Sequence, residues 1–366
     1  MSFALEGIRV LELAPLLPGP FCGLCLVELG AEVIKVEPPY GDAMRFTPPA
    51  PQAFDAVNRG KRSVSVDLKN EEDRALFLKL CATSDVILEG WRPGVAKRLG
   101  VDAETLRAEH PQLIYCSITG YGQSGTRRDH AGHDLNYNAV TGILGVTGNQ
   151  RSGPVVPGTP IADLVGGGFQ AVTAILAALI QRGKTGEGCV LDVAMSEGVL
   201  AMLVLAQARM AGGAGEPGLG DDLLTGLLPN YRIYETADGH LAVGALEPVF
   251  WQRFLRAVEL DHLQSAAIMG PEAAATVDAV AAHLKTRTNS AWMAVLEPVD
   301  CCVEPVLGLA EAMANPDFQT RDRWVDRPQG HQTLRLLTGL PMAPQAAGES
   351  PALNADRAAI ERELKS

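Results

Sequence analysis

Two imidazoles and two carboxylates fall within six residues at 129–134 (DHAGHD), in a polar loop that leads into an apolar run. Such a group could bind a metal ion, perform acid–base chemistry or cap a helix. No ligand group beyond these lies close by in the sequence, which disfavours a metal site. His133 is therefore a candidate acid–base residue, and a hydrogen-bonding role within the loop is the alternative.

Asp163 is the second candidate for chemistry. It precedes LVGGG at 164–168, after which an apolar helix is predicted to run to about residue 179. A carboxylate at a helix start often serves as the N-cap. Three glycines in the first turns disfavour the helix itself, and backbone without side chains beside a carboxylate lets a bulky ligand approach. Because a helix N-terminus also offers amides to an anion, the pattern favours a functional site over a cap.

Two further charged residues follow predicted strands. Glu247 (GALEP, 244–248) stands before a helical segment, where an acidic residue also complements the helix dipole. Arg92 (WRPG, 91–94) follows the strand that ends near Leu88, at the edge where α/β sheets bind ligands. A cation there suits a phosphate, although an arginine before a turn is also common on protein surfaces.

Motifs for nucleotide, redox or metal binding are incomplete. Glu37 ends the second strand as a ribose ligand would, but the turn PLLPGPFCG at 15–23 lacks the G-x-G-x-x-G spacing of dinucleotide sites. GKT at 183–185 follows a helix, whereas a P-loop follows a strand. Cys22 and Cys25 form a C-x-x-C without a second pair, which favours apolar packing on a buried helix.

Composition narrows the class of protein. The 366 residues carry 31 Lys and Arg against 43 Asp and Glu, a formal charge of −12, which argues against a nucleic-acid partner. Hydrophobic residues make up 47%, as in globular proteins with a large core. The apolar run near 172–180 is too short to span a bilayer, and the N-terminal residues lack a signal-peptide pattern. We therefore expect a cytoplasmic protein without a membrane partner, and seven scattered cysteines predict no disulfide framework.

The elements that must position these residues alternate along the chain. Strands are predicted at 8–13, 32–37, 64–66, 85–88, 113–118 and 189–193, and helices at 21–29, 70–82, 103–109 and from Ser196, as N-cap, to about 210. This alternation predicts an α/β fold with a doubly wound parallel sheet. Residues 211–222 are typical of a linker or loop. A strand-turn-strand pattern at 231–243 and helical residues at 248–313 predict a smaller α+β domain at 223–315, so that the large domain takes 1–210 and is completed by 316–366.

Ten segments in a fixed order span nearly the whole chain. They are LEGIRVLEL (5–13), GAEVIKVEPP (30–39), NRGKRS (58–63), RPG (92–94), GYGQ (120–123), GHDLNY (132–137), AD (162–163), GEG (186–188), YETADG (234–239) and GALEP (244–248). Together they resemble the family III CoA-transferase (CaiB/BaiF) superfamily, which includes the α-methylacyl-CoA racemases. The resemblance implies a Rossmann-like large domain built from both chain ends, a small middle domain and an interlocked homodimer.

The resemblance also implies roles for particular residues. Asp163 matches the reactive carboxylate, which is a nucleophile that takes the acyl group from CoA in transferases and a base on the α-carbon in racemases. His133 matches the second base of the racemases, supported by Glu247 and Asp134. The helix start at 166–168 could supply backbone donors to an enolate oxygen.

Coenzyme A enters this scheme as part of the substrate, and no metal or redox cofactor is expected. We expect Arg92, and with it Arg59 and Lys61, to hold the phosphates of CoA.

Three activities are compatible with these residues. The leading hypothesis is a racemase or epimerase that deprotonates the α-carbon of a 2-methyl-branched acyl-CoA, since a carboxylate and an imidazole can serve opposite faces. A CoA-transferase acting through an Asp163 anhydride is the alternative: LTGLLPNY at 224–231 departs from the racemase pattern L-D/N-G-G-A-P-F/Y-Y, and EPP with GD at 41–42 is the commoner transferase form. The tetraglycine loop of oxalate-type transferases is absent from the sequence. A non-catalytic acyl-CoA-binding protein is the third hypothesis.

Overall fold

The computed structural model describes residues 2–321, 323–328, 330, 332–337 and 339–365, in two compact units. The large unit contains the described residues of Met1–Thr141, Pro157–Leu203 and Asp322–Ser366, and the small unit contains Gly142–Val156 and Val204–Arg321. The predicted small domain, 223–315, lies within the small unit, which also takes in the predicted linker 211–222. The chain enters the small unit first at 142–156, a segment that the sequence analysis placed in the large domain.

The strands and helices of both units are numbered in chain order. The strands are β1 (Arg9–Glu12), β2 (Glu32–Glu37), β3 (Arg62–Ser65), β4 (Val86–Glu89), β5 (Ile114–Thr119), β6 (Gly148–Asn149), β7 (Gly153–Pro154), β8 (Val190–Ala194), β9 (Tyr231–Glu235), β10 (His240–Gly244), β11 (Val303–Pro305), β12 (Trp324–Asp326) and β13 (Gln332–Leu334). The α-helices are α1 (Pro18–Glu28), α2 (Gln52–Asn58), α3 (Glu71–Ala82), α4 (Val95–Leu99), α5 (Ala103–Glu109), α6 (Asp134–Thr141), α7 (Ile143–Val146), α8 (Gln170–Thr185), α9 (Met195–Met202), α10 (Val204–Ala211), α11 (Pro248–Ala257), α12 (Ala273–Leu284), α13 (Asn289–Leu296), α14 (Leu309–Ala314), α15 (Pro316–Gln319) and α16 (Arg357–Glu363). A π-helical segment, Ala162–Phe169, leads into α8, and short 3₁₀ turns lie at Ala43–Arg45, Asp261–Leu263 and Pro344–Ala347.

The large unit is built on a six-stranded sheet in the order β3-β2-β1-β4-β5-β8, in which every neighbouring pair is parallel. The chain runs outward from β1 to β3 and then returns to place β4 on the other side of β1. In parallel sheets the loops at such a reversal diverge and leave a ligand crevice at the carboxyl ends of the strands. The predicted α/β fold with a large parallel sheet is confirmed.

Alternating apolar residues attach helices to this sheet. Leu11, Ile34 and Val64, from three neighbouring strands, form one buried cluster with Phe77 of α3, as the twofold periodicity of strand side chains requires. The Asn70 side chain accepts two backbone N–H groups from the first turn of α3, which is a standard N-cap. The core thus follows directly from the hydrophobic pattern of the sequence.

The helices near the candidate residues begin at other places than predicted. The sequence predicts one helix from Ser196 to about 210, but the structure has α9 and α10 with a break at Leu203, and Ala194 is the N-cap of α9. Asp163 lies in the π-helical segment, whose N-cap is Ile161. The wider turn of a π-helix is uncommon and often marks a functional site.

The continuous helical segment Ala162–Thr185 has 24 residues and contains an 18-residue stretch with a mean hydropathy of 1.7, so by length and composition alone it could cross a membrane. The expectation that this apolar region is too short is therefore wrong for the helix as a whole. Its buried residues Ala171, Val172, Ile175 and Ala178 belong to a helix that packs against β5, β8 and α1 of the large unit. A core helix of a globular protein passes the same length test.

The small unit contains the antiparallel sheet β11-β10-β9. Tyr234 of this sheet packs in one cluster with Phe254 of α11 and Trp292 of α13. The predicted strand-turn-strand pattern is confirmed, and Thr236 closes its turn because its backbone N–H donates to the Gly239 carbonyl at 2.9 Å. The small unit therefore has its own core.

Candidate active site

A cavity of about 450 Å³ lies in the large unit at the carboxyl ends of β1, β4 and β5. The chain segments within 14–19, 90–93 and 118–121, each at the end of one of these strands, form its wall together with the loop at 128–133. This is the crevice that the strand order predicts. Arg92, His133 and Asp163 all line it, so the structure brings together three residues that lie far apart in the sequence.

The Asp163 carboxyl group has an unusual environment. No described residue donates a hydrogen bond to its oxygens, and the N-cap alternative does not apply because Ile161 holds that position. Burial and the neighbouring Asp134 carboxylate raise the pKa of Asp163 from 3.8 to about 6, against an opposing effect of His133. A carboxylate with a raised pKa is a stronger base, and such pKa values are typical of acid–base residues.

Asp134 holds the start of the segment that carries Asp163. Its Oδ1 accepts the backbone N–H of Ala162 at 2.6 Å and that of Asp163 at 3.1 Å, while Oδ2 accepts the Asn138 side-chain amide at 2.7 Å. These bonds position the Asp163 segment, whereas the support of His133 that the resemblance implies for Asp134 stays a prediction. Since they also occupy the first amides of the segment, those amides are not free to bind an enolate oxygen.

His133 lines the cavity, and its backbone places it there. Its N–H donates to Asn136 Oδ1 at 3.0 Å, and its carbonyl accepts N–H groups from the first turn of α6. The Tyr137 hydroxyl donates to the carbonyl of Gly132, directly before the histidine. No hydrogen bond joins the imidazole to another described residue, so the loop-bonding alternative has no support and the ring is available to a ligand.

The three glycines after Asp163 have a packing role. A Cβ at Gly166 would lie 2.3 Å from the Met195 carbonyl oxygen, and a Cβ at Gly198 would lie 2.3 Å from the Gly166 carbonyl oxygen. A Cβ at Gly168 would lie 2.6 Å from the Phe21 ring. The expectation that these glycines admit a bulky ligand is therefore wrong. They let the backbone of α9 and the Phe21 ring of α1 pack directly against the Asp163 segment.

Glu247 belongs to the small unit, where it is the N-cap residue of α11. Its side chain is exposed and makes no capping hydrogen bond, and its place at the helix start is the one that the helix-dipole alternative requires. The predicted support of His133 by Glu247 joins two units and stays a prediction.

Arg59 and Lys61 are buried in ion pairs, which corrects the prediction that they hold CoA phosphates. Arg59 Nη2 lies 2.7 Å from Glu28 Oε1, and Lys61 Nζ lies 2.7 Å from Glu12 Oε2. Their side chains are 1% and 0% exposed, so a phosphate could reach them only by breaking a buried pair. Burial also lowers the pKa of Lys61 to about 8.

Other cations stand where a phosphate could bind. Arg92 is exposed at the cavity. A Cβ at Gly94 would lie 3.5 Å from Arg128 Nη2 and 3.6 Å from Arg98 Nη1, so both guanidinium groups approach one point. Sequence reasoning missed Arg98 and Arg128, although Lys97 and Arg98 lie three and four residues after the RPG motif and could have signalled a basic patch.

A second cavity, of about 720 Å³, lies at the carboxyl ends of β1, β2 and β3. Pro15, Leu16 and Trp91 line both cavities. Glu37 borders the second cavity, but its carboxylate is held by Arg45 at 2.6 and 2.7 Å and by Ser63 at 2.8 Å. This carboxylate is therefore not available as a ribose ligand.

The residues considered as metal or redox ligands can be located in the structure. Within the described ranges, no three His, Cys, Asp or Glu side chains are grouped as metal ligands. Cys22 and Cys25 are free thiols buried in α1, and burial raises the pKa of both.

Comparisons with known proteins agree with the fold. The family model for CoA-transferase family III matches residues 5–357. The α-methylacyl-CoA racemase of Mus musculus is 35% identical over 93% of this chain and 88% of its own length. The succinyl-CoA:mesaconate CoA-transferase of Haloarcula hispanica is 31% identical over 98% of this chain and 95% of its own. The crystal structure of a CaiB/BaiF family protein from Brucella suis matches with a TM-score of 0.87 and 31% identity over 100% of both chains.

The fold and the cavity thus define an enzyme of the racemase and CoA-transferase type. The chain belongs to CoA-transferase family III.

Proposed function

We propose that this enzyme is an acyl-CoA racemase or epimerase that acts on the α-carbon of a 2-methyl-branched acyl-CoA. The observation that carries the proposal is the Asp163 carboxyl group, which has a raised pKa of about 6 and shares its cavity with the His133 ring. A carboxylate that accepts no hydrogen bond from the described residues is well suited to accept a proton from carbon.

Each half of the reaction moves one proton. The Asp163 carboxylate takes the α-proton from one face, and the electron pair of the broken C–H bond moves into the thioester carbonyl. The protonated His133 ring then returns a proton to the opposite face, which inverts the centre. The reverse reaction exchanges the roles of the two residues. A pKa near 6 leaves Asp163 ionised at neutral pH and still able to return its proton.

The CoA part of the substrate fits the two adjoining cavities. The thioester must lie in the smaller cavity beside Asp163, and the larger one, which shares Pro15, Leu16 and Trp91 with it, has room for the nucleotide. Arg92, with Arg98 and Arg128, replaces the buried cations as the proposed phosphate ligands.

Arg92→Ala should raise KM for acyl-CoA several-fold with less effect on kcat, and the difference should shrink at high salt. An unchanged KM at low salt would exclude Arg92 as a phosphate ligand.

The second candidate is a CoA-transferase. In that reaction an Asp163 oxygen attacks the thioester carbonyl and CoA leaves as the thiolate, so that an aspartyl anhydride carries the acyl group. The CoA thiolate then attacks the Asp163 carbonyl of the anhydride and releases the donor acid, which leaves CoA on Asp163 as a thioester. The acceptor carboxylate attacks this thioester and expels the thiolate, and the thiolate attacks the acceptor carbonyl of the new anhydride, which frees the Asp163 carboxylate and forms the new acyl-CoA. The absence of a hydrogen-bond donor to Asp163 among the described residues favours this attack as well, and similar proteins include a CoA-transferase at 31% identity.

Mass spectrometry of a single 2-methylacyl-CoA epimer in D₂O, with and without succinate, separates the candidates. Deuterium at the α-carbon of the inverted product without a new thioester supports the racemase. A new CoA ester without exchange at the α-carbon overturns it in favour of the transferase. If the protein binds the acyl-CoA but forms neither product, the third hypothesis, a non-catalytic acyl-CoA-binding protein, remains.

Two variants sharpen the same assay. Asp163→Asn should abolish both reactions, whereas His133→Ala should abolish inversion and largely spare transfer. His262→Ala, an exposed histidine of the small unit, is the matched control and should retain the wild-type rate. Inversion by His133→Ala would exclude the two-base scheme.

Three expectations accompany this proposal. An interlocked homodimer is expected, which light scattering of the purified protein measures. The protein is expected to be cytoplasmic, and it should work without a metal or redox cofactor. Dialysis against a chelator should leave the exchange rate unchanged, and a loss that added metal restores would contradict the last expectation.

A further inference from the structure

Leu16 adopts a backbone conformation that leucine normally avoids. Its φ is 65°, in the left-handed region where Cβ crowds the backbone of every residue other than glycine. Such a conformation persists only where the surroundings impose it, and it is concentrated at functional sites. The Leu16 side chain is 43% exposed and lines both cavities of the large unit.

The conformation is imposed by Asp42, a residue that the sequence analysis noted only as part of a transferase-like GD pair. Both oxygens of its carboxylate accept the Leu16 backbone N–H, at 3.3 and 3.1 Å. Asp42 is 3% exposed, and its Oδ1 also accepts the N–H of Met44 at 2.9 Å. The carboxylate therefore clamps the turn between β1 and α1 to the segment that follows β2.

A buried charge network fixes Asp42 in turn. Lys35 Nζ lies 2.9 Å from Asp42 Oδ2, 3.1 Å from Glu12 Oε1 and 3.3 Å from the Ala14 carbonyl oxygen. Glu12 extends the network to Lys61, which binds the Pro20 carbonyl at 2.9 Å. Buried charged groups therefore bind this region at three points: the Ala14 carbonyl before Leu16, the Leu16 N–H itself and the Pro20 carbonyl after it.

We propose that Asp42 is a positioning residue that holds the Leu16 side chain as the wall between the two cavities, and that this wall sets where the thioester of a bound acyl-CoA lies relative to Asp163 and His133. This inference rests on the proposed function. It assigns Leu16 a contact with the substrate where the chain of CoA passes from one cavity to the other. Asp42 and Lys35 act through Leu16 and touch no substrate.

Leu16→Gly removes the side chain and keeps the backbone conformation, because glycine adopts a positive φ without strain. The variant should fold with at least wild-type stability. Since a displacement of about 1 Å at a reacting centre costs up to about 100-fold in rate, we expect kcat for α-deuterium exchange, or for acyl transfer if that is the reaction, to fall about tenfold. The dissociation constant for the acyl-CoA, measured by calorimetry, should change much less.

The decisive test is a double-mutant cycle of Leu16→Gly with Asp42→Asn. In the wild-type background Asp42→Asn should lower kcat about tenfold; in the Leu16→Gly background it should change kcat less than about twofold, because no strained side chain remains to be held. Glu28→Gln disturbs another buried ion pair of the same unit and is the control: it should lower stability and leave kcat unchanged.

The outcomes are distinct. Equal factors for Asp42→Asn in both backgrounds, or a Leu16→Gly enzyme at the wild-type rate, would overturn this inference alone. A wild-type enzyme that binds acyl-CoA but neither exchanges nor transfers would overturn the proposed function and this inference with it.

Discussion

Replacement of Asp163 with asparagine should stabilise the protein while it removes the activity. Burial and the Asp134 charge raise the pKa of Asp163 from 3.8 to about 6, so the folded state carries an electrostatic cost whenever the group is ionised. At 1.36 kcal/mol for each pKa unit, this cost is about 3 kcal/mol at most. Because the side chain is only partly buried, solvent screening reduces the expected gain to about 1–2 kcal/mol.

The stability gained by Asp163→Asn must increase as pH rises. A carboxyl group with a raised folded pKa binds more protons in the folded state between about pH 4 and pH 6. Its contribution to stability therefore falls as pH rises through this window and stays low above it. Asparagine does not titrate, so the advantage of Asp163→Asn should be complete at about pH 7.5 and nearly absent at about pH 4.

Urea unfolding at these two pH values measures the effect as a shift of the midpoint at constant m value. Asp278→Asn, an exposed carboxylate of α12, is the matched control and should change the free energy of unfolding by less than about 0.5 kcal/mol at either pH. An Asp163→Asn protein no more stable than wild type at the higher pH, or equally stabilised at the lower one, would refute the reasoning.

Two other predictions concern the support of this residue. Asp134→Asn should shift the acidic limb of the pH–rate profile of α-deuterium exchange below about pH 6, because it removes the charge that, together with burial, raises the pKa of Asp163. The buried Oδ1 of Asn138, which has no hydrogen-bond partner among the described residues, can accept the new amide. An unmoved limb would contradict the electrostatic role. Gly198→Ala should cost at least about 2 kcal/mol in urea unfolding, since its Cβ would lie 2.3 Å from a carbonyl oxygen. Gly183→Ala has open space and should instead stabilise α8 by about 0.5–1 kcal/mol, so equal effects of the two alanines would refute the packing argument.

The fold was accessible from sequence because its signal is local. Apolar residues such as Leu11 and Ile34 alternate with the period of a strand, and helices recur between the strands, which together favour a parallel sheet. The carboxyl ends of these strands then indicate the ligand crevice. Asp163, His133 and Arg92 were identified in this way and through the family resemblance, and all three line the same cavity.

Some charged and small residues, by contrast, were interpreted wrongly from the sequence, because their role depends on whether they are buried. Arg59 and Lys61 have the residue type of phosphate ligands, but their positions are sealed by Glu28 and Glu12. Gly166 has the residue type of a ligand-facing backbone, but it faces α9, a helix that begins only at Met195. No local pattern distinguishes a buried cation from an exposed one.

The sequence by itself determined the alternation of strands and helices in the large sheet, the family, and Asp163 as the candidate reactive carboxylate, because these depend on periodicity and on residue type. Only the tertiary structure decided that Asp134 bonds the backbone amide of Asp163, and that Asp42 bonds the amide of Leu16 at its positive φ. These are contacts between residues distant in the chain. A hydrogen bond of about 3 Å depends on how whole elements pack, and packing is a property that no short segment of sequence contains.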